Sequence, residues 1–360
     1  MDAAVPTETL PTAAAGSDDR RIAAASLDKG RARSHPSLMT PHDDRRRPSE
    51  ELSRMAARWR TERQLKLLSR LPSAASDSVR FAVLGDCEPS RFWLARKLFN
   101  REGVFGEHMR SIRRQRASFV VQLGDMVEKG EPSRYHRFFR DLRRVRSGRP
   151  YLTVIGNHDR SRPNGRSHST VYRTLFGASN YFFDHAQTRF VVLDSSAKRL
   201  TPAQLRWLRL VLNTPLRKIV FTHMPPVHLG LWGGAGKLHA LGGFLQGARE
   251  FSDAVSAAKV LRVYMGHVHA FGVQDHQGVR YVLTGGGGSA LFPSGSSDRF
   301  HHYLTVDIGP HGVCEQVHTM DGGVFEIPSA PVILPTREHS HTWGGLAREA
   351  GRKLLRAAGL

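Results

Sequence analysis

The chain has 360 residues, a formal net charge of +21 and two cysteines. That length allows one large core with extensions, and two cysteines exclude a multi-bridge disulfide framework and suit a cytoplasmic protein. No apolar run approaches the roughly 20 residues of a membrane-spanning helix. About two thirds of the positive excess lies between residues 76 and 330, so the folded body itself favours anionic partners: phosphorylated small molecules, nucleic acid or acidic membrane surface.

Residues 1–48 mix Ala, Ser, Pro, Asp and Arg without a helical or strand period and read as a disordered polar tail. Its twin arginines, Arg20-Arg21, lack the long apolar run of an export signal. Pro48-Ser49-Glu50-Glu51 resembles a helix start, and Leu52, Met55, Ala56, Trp59, Leu67, Leu68 and Leu71 predict one amphipathic helix within 49–75, packed on the core. Between 76 and 329 lies the main domain. Short apolar runs at 81–84, 119–123, 151–155, 190–193, 218–221 and 260–265 each read as a buried strand. Helices are expected at 91–100, 132–146 and 201–212, the last with Thr201 as cap and Pro202 at the first helical position. This alternation predicts an α/β core. The runs at 279–283, 303–306 and 312–318 have turns but no helices between them and are expected to complete a second sheet. Residues 330–360 form a basic tail in which 346–358 reads as a short amphipathic helix.

Asp86, Asp125, Asn157, Asp194, His223 and His267 each follow a predicted strand by a few residues, and ligands gather at the carboxyl ends of strands. They belong to Gly85-Asp86, Gly124-Asp125, Gly156-Asn157-His158-Asp159, a lone His223 before Pro225-Pro226, and Gly266-His267-Val268-His269. Two divalent metals about 3.5–4 Å apart need a shared carboxylate and several neutral nitrogen or oxygen donors. This inventory contains both.

In this order the motifs resemble the calcineurin-like metallophosphoesterase superfamily, whose pattern is Asp-x-His, Gly-Asp, Gly-Asn-His-Asp/Glu, an isolated His and Gly-His-x-His. The likeness runs from about residue 81 to 269 and extends to 181–196, the helix start at 200–205, and Gly285 to Gly288. It implies two central mixed β-sheets flanked by helices, with 76–329 as a catalytic domain that hydrolyses phosphate monoesters or diesters. The implied cofactors are two divalent ions, Mn, Fe or Zn. Asp125 would bridge them, with Asp86 and His269 on the first and Asn157, His223 and His267 on the second. A metal-bridging hydroxide would attack phosphorus, and His158, oriented by Asp159, would assist the leaving group. The implied substrate is a phosphorylated small molecule or nucleotide bordered by Asn157 and His158; nucleic acid is the less favoured partner.

One departure stands out: Cys87 and Glu88 follow Asp86, so a carboxylate occupies the usual histidine position. Three arrangements are open for the first site, namely Glu88 as a direct ligand favouring Mn or Fe, Glu88 acting through water or as an outer acceptor, and Cys87 as a thiolate ligand. A site holding one metal is the remaining outcome. The glycine-rich stretch 230–243 would offer Trp232 as a substrate wall, while His228 and His239 read as loop histidines. Arginines at 110–116 and 134–149 either track a polyanion or form a solvated face. The alternative to an enzyme is a catalytically weakened protein of the same fold, acting as a polyanion-binding or scaffolding module.

Overall fold

Apolar runs that must be covered on both faces become the interior strands of two stacked sheets. The computed structural model describes residues 48–72, 76–88, 103–145, 148–163, 167–229, 242–291, 300–330 and 333–334. The expected helices at 91–100 and 346–358, residues 1–47, Trp232 and His239 lie outside them. In chain order the strands are β1 (Val79–Leu84), β2 (Val120–Gln122), β3 (Tyr151–Thr153), β4 (Tyr181–His185), β5 (Thr188–Leu193), β6 (Arg217–Thr222) and β7 (Arg262–Met265). They continue as β8 (Phe271–His276), β9 (Val279–Thr284), β10 (His302–Gly309), β11 (Gly312–Thr319), β12 (Val324–Glu326) and β13 (Ile333–Leu334). The helices are α1 (Glu50–Ala56), α2 (Thr61–Leu68), α3 (Val104–Arg114), α4 (Pro132–Val145), α5 (Thr170–Phe176), α6 (Pro202–Leu212) and α7 (Ala248–Ala257).

One sheet has the order β12-β11-β10-β1-β2-β3 and the other β13-β8-β9-β7-β6-β5-β4. Both are mixed: β1, β2 and β3 run parallel, as do β5, β6, β7 and β9, and the remaining pairs are antiparallel. The expected two-sheet α/β architecture is therefore present, but the late strands expected to complete one second sheet are divided: β9 joins one sheet, and β10 and β11 the other. β9, buried at all six positions, pairs parallel with β7, whereas β10 pairs with β1. Each is an apolar run needing neighbours on both edges, and the two find them in different sheets.

Between the sheets lies an aromatic slab. Phe81 stacks on Phe119 at 5.0 Å, Phe119 meets Phe190 edge-on at 5.3 Å, and Phe183 stacks on Phe190 at 4.9 Å. Phe221 and Tyr264 continue it at 5.7 Å. Separate cores line the outer faces, one under α6 and α7 and one under α1, α3, α4 and α5. Thr201 caps α6 with a reciprocal capping box to Gln204, as the sequence predicts. α4 buries Tyr135, Phe138, Phe139 and Leu142 and leaves Arg140, Arg143 and Arg144 exposed.

The single helix expected within 49–75 is broken. α1 passes into a 3-10 turn at Ala57–Trp59, Arg60 leaves helical geometry with ψ 134°, and α2 starts afresh. The break has partners distant in sequence: Arg60 Nη1 donates to the Thr174 carbonyl at 2.8 Å, and the Gln64 side chain accepts from Tyr151 N at 2.8 Å. Tyr151 opens the edge strand β3, so α2 covers backbone donors that would otherwise be open to pairing. No helix among the described residues is long and apolar enough to cross a membrane.

A second junction ties the sheets directly. Arg262 at the start of β7 forks onto Glu315 of β11, with Nε to Oε1 at 2.7 Å and Nη2 to Oε2 at 3.2 Å, and the Tyr264 hydroxyl donates to Oε1 at 2.9 Å. Glu315 is 1% exposed. Removing one partner strands a buried charge, so Glu315→Ala should cost about 3–5 kcal/mol in chemical denaturation, whereas the double change Arg262→Met/Glu315→Leu should cost far less. Equal losses in the two variants would contradict a charge-burial origin.

Candidate metal centre

Every motif residue is delivered by a strand that ends just before it. β1 leads into Gly85-Asp86, β2 through Leu123 into Gly124-Asp125, and β3 through Val154 and Ile155 into Gly156-Asn157-His158-Asp159. From the other sheet, β6 leads into His223 and β7 into Gly266-His267-Val268-His269. The chain turns sharply at three of these points. Asp86, Asp125 and His267 have left-handed backbone, with φ of 47°, 48° and 72°, a conformation that costs a non-glycine residue roughly 1–3 kcal/mol. Close approach supplies the room: a Cβ on Gly156 would fall 2.1 Å from Asp125 Oδ1, and one on Gly287 would fall 2.0 Å from the Gly85 carbonyl. The run Gly285 to Gly288 is thus the close backbone passage expected from its composition.

The side chains converge in three overlapping groups: Asp125 with His223 and His267; Asp86 with Glu88 and His269; and Glu88 with Asp125 and His158. In each group the candidate ligand atoms lie within 4.8 Å of one another. Asn157 joins the first, its Oδ1 lying 3.0 Å from His223 Nε2. Glu88 therefore stands inside the cluster, where its Oε1 is 3.6 Å from His269 Nε2. Cys87 is in none of these groups and packs instead against the outer core that holds Met55 and Phe105. That geometry removes the thiolate arrangement.

Carbonyl acceptors fix the imidazoles. His223 Nδ1 donates to the Leu123 carbonyl at 2.7 Å, His158 Nδ1 to that of Glu128 at 3.0 Å, and His269 Nδ1 to that of Ala290 at 2.8 Å. A carbonyl can only accept, so each ring carries its proton on Nδ1 and presents Nε2. His223 Nε2 faces two oxygens, Asn157 Oδ1 and Asp125 Oδ2 at 3.2 Å. A nitrogen lone pair pointed at two oxygen acceptors is repulsive unless a proton or a cation lies among them.

Electrostatics lead to the same requirement. Asp86, Glu88 and Asp125 are buried, and among the described residues no lysine or arginine pairs with them. Burial lifts the Asp86 carboxyl to about 8, with His223 pulling it down and Asp125 pushing it up. Glu88 is raised well above the usual carboxylate range by burial, then by Asp125 and Asp86. Asp125 goes the other way: burial opposes ionisation, but His223, His158 and His267 outweigh it. His223 is lifted to about 9 because Asp125 overrides the effect of burial. Carboxylates, neutral imidazoles and an amide carbonyl form a donor set that suits divalent cations, and binding such ions would relieve the charge these groups impose on one another. The residues present fit a metal centre.

Asp159 serves a different purpose from the one expected. Its Oδ2 accepts from Gly156 N at 2.8 Å, and its Oδ1 accepts from Met126 N and from the Tyr135 hydroxyl, both at 3.1 Å. It ties the His158 loop to the Asp125 loop, and the group orienting the His158 ring is the Glu128 carbonyl. Asp194 organises its own loop by accepting from Ser196 N at 2.9 Å, and His228 sits apart with Ser252 at 3.0 Å. Sequence reasoning passed over Glu128, which ion-pairs with Arg134 at 2.8 Å, and Ser289, which hydrogen-bonds Glu88. Both stand beside noticed motifs, Glu128 three residues after Asp125 and Ser289 directly after the glycine run.

Known proteins resemble this chain in sequence and in fold. A protein of Psychrobacter arcticus named "Probable cyclic nucleotide phosphodiesterase" is 27% identical over an alignment covering 47% of this chain and 63% of that protein. The chain thus spans less than two thirds of that relative's length. A purple acid phosphatase from yellow lupin (Lupinus luteus) seeds is similar over 70% of this chain and 53% of its own, with a TM-score of 0.56 and 17% identity, a likeness of fold. A dimetal phosphatase from Danio rerio aligns over 70% of this chain and 99% of its own, with a TM-score of 0.49 and 16% identity. The profile of the family described as "Calcineurin-like phosphoesterase" matches residues 79–271, the span that holds the motifs from Gly85-Asp86 to Gly266-His267-Val268-His269. A match over more than half of the sequence, with those motifs in their order, establishes that the chain belongs to the calcineurin-like phosphoesterase family.

Proposed function

We propose that this chain hydrolyses phosphate esters at a centre of two divalent cations, with nucleotide phosphodiesters as the leading substrate class. The observation that supports it most is the convergence of two ligand groups, Asp86 with Glu88 and His269 and Asp125 with His223 and His267, at the ends of strands from both sheets. The name carried by the Psychrobacter arcticus relative supports the diester class.

Bound there, the cations would supply Lewis acidity and an activated water for attack on phosphorus. Asp125 would lie between the two positions. Asp86, Glu88 and His269 would hold one side, and Asn157, His223 and His267 the other. His158 would face the departing oxygen through Nε2, since the Glu128 carbonyl occupies Nδ1. In the imidazolium form that nitrogen can donate a proton as the P–O bond breaks. Asn157 presents Oδ1 toward His223, which leaves its amide N–H groups to hold a phosphoryl oxygen.

A panel of a bis-aryl phosphodiester, an aryl phosphate monoester and cyclic nucleotides, each with Mn, Fe or Zn, should show turnover with diesters ahead of monoesters. His158→Asn should lower kcat by roughly 10²–10⁴ while metal content stays at the wild-type level. Asp125→Asn should abolish turnover and cost bound metal. If metal-loaded protein hydrolyses nothing in the panel and Asp125→Asn changes nothing, while salt-sensitive polyanion binding persists, the enzyme reading is lost to the scaffolding one.

Metal removal gives an independent check. At a free concentration of 100 times Kd a cation stabilises the folded state by about 2.7 kcal/mol, so chelation should lower Tm reversibly. In Gly156→Ala the added methyl would meet Asp125 Oδ1 at 2.1 Å and Asp125 N at 2.3 Å, so the variant should displace the Asp125 loop, lower the metal-free Tm and lose most of that metal-dependent shift. A chelator-insensitive Tm in the wild-type chain would argue against a resident centre.

A further inference from the structure

Residues 289 and 290, just past the glycine run, reach three of the groups assigned to the first metal position. Ser289 N donates to the Asp86 carbonyl at 3.0 Å, and Ser289 Oγ hydrogen-bonds Glu88 Oε2. The Ala290 carbonyl accepts from His269 Nδ1 at 2.8 Å. Ser289 is fully buried. With Oε2 taken by Ser289, Glu88 presents Oε1 toward His269 and the cluster. Asp86 is held from the opposite side by His267 N, at 3.0 Å to Oδ1 and 2.9 Å to Oδ2.

The two halves of the centre differ in chemical character. The side built by Asp86, Glu88, Asp125 and His269 has three carboxylates and one imidazole. The side built by Asp125, Asn157, His223 and His267 has one carboxylate, an amide carbonyl and two imidazoles. Oxygen-rich, anionic sites suit harder cations such as Mn, whereas imidazole-rich ones suit Zn. A hydroxyl tethering one carboxylate oxygen directs the other to the metal, and such outer contacts typically change metal affinity by 10–100-fold.

We propose that Ser289 is a positioning residue that fixes Glu88 as a one-oxygen ligand, and that the Ser289–Glu88 pair makes the first position selective for a harder cation than the second, giving a mixed-metal centre. This rests on the two-metal reading above and adds to it a metal preference set by residues of this chain.

The test uses the full chain, stripped with chelator and equilibrated with Mn in tenfold excess over Zn. Metal content is read by elemental analysis, and the Mn environment by electron paramagnetic resonance. The wild type should hold about one Mn and one Zn. Ser289→Ala should weaken Mn binding roughly 10-fold or more and leave Zn affinity within about twofold. Glu88→His should take Zn into both positions. Glu88→Gln, which keeps the shape and removes the charge, should lose Mn alone; it carries the test if the histidine variant does not fold, as judged by melting of the metal-free proteins.

Two Zn in the wild type under these conditions would overturn the proposal, as would Ser289→Ala weakening both metals equally or neither. A wild type that holds one metal, unaffected by Ser289→Ala, defeats the proposal and the two-metal centre but leaves a metal-dependent hydrolase standing. A chain that binds no metal defeats all three.

Discussion

Three carboxylates buried at one place, without a lysine or arginine partner among the described residues, set the conditions for the rest of this structure. Each buried charge costs several kcal/mol unless something of opposite sign shares the site. The histidines offset part of that cost, and the way they are held limits how negative the centre becomes. His158, His223 and His269 each give Nδ1–H to a main-chain carbonyl. A carboxylate in that place would orient the ring equally well but would add negative charge beside three carboxylates already buried there. Neutral acceptors fix ring direction and protonation without that penalty.

The same constraint explains the strained backbone. Asp86, Asp125 and His267 occupy left-handed conformations directly after a glycine that follows the strand or trails it by one residue. An extended continuation would carry these side chains along the strand axis and away from one another. The sharp reversal points them into the gap between the sheets, and no gap-crossing side chain is then needed. The cost of the three turns is recovered only if the groups they gather bind something, so the strain points to function rather than to a folding requirement.

Much of this was legible in the sequence because the informative residues sit at the one place a pattern marks well, the end of an apolar run. Asp86, Asp125, Asn157, His223 and His267 could be assigned to strand ends from hydropathy alone. What was not legible depends on which side chain meets which across long separations. Nothing local tells that β9 joins β7 while β10 joins β1, since both are largely buried runs. Asp159 adjoins His158 in sequence, yet its Oδ1 is claimed by Met126 N and the Tyr135 hydroxyl, donors brought near by the β2 loop and α4, and its Oδ2 by Gly156 N. Ser289 lies 201 positions from Glu88, and only the fold makes it a neighbour. The break at Arg60 is similar: the helical pattern of 49–68 is sound, and the interruption comes from tertiary partners, Thr174 and Tyr151.

The position of the centre also determines what must stay rigid. Its candidate ligands come from both sheets, so a change in the spacing or twist between sheets alters the distances between Asp125 and His223 or between Asp86 and His269. Useful ligand geometry requires placement within about 0.5 Å. β7 is held at both ends: Arg262 at its start is locked to Glu315 of the facing sheet, and His267 lies five residues on, about 16 Å away at strand rise. Between these points the stacked and edge-on rings of Phe81, Phe119, Phe190, Phe221 and Tyr264 fill the gap with side chains of few rotamers. The carboxylates Asp86, Glu88 and Asp125 come from the ends of β1 and β2 in one sheet and face His223, His267 and His269 from the other, so the aromatic slab and the ion pair set how closely the two groups meet. The geometry of the candidate centre is therefore a property of the whole inter-sheet core, and changes to Glu315 or to the aromatic slab would act on it without touching a candidate ligand.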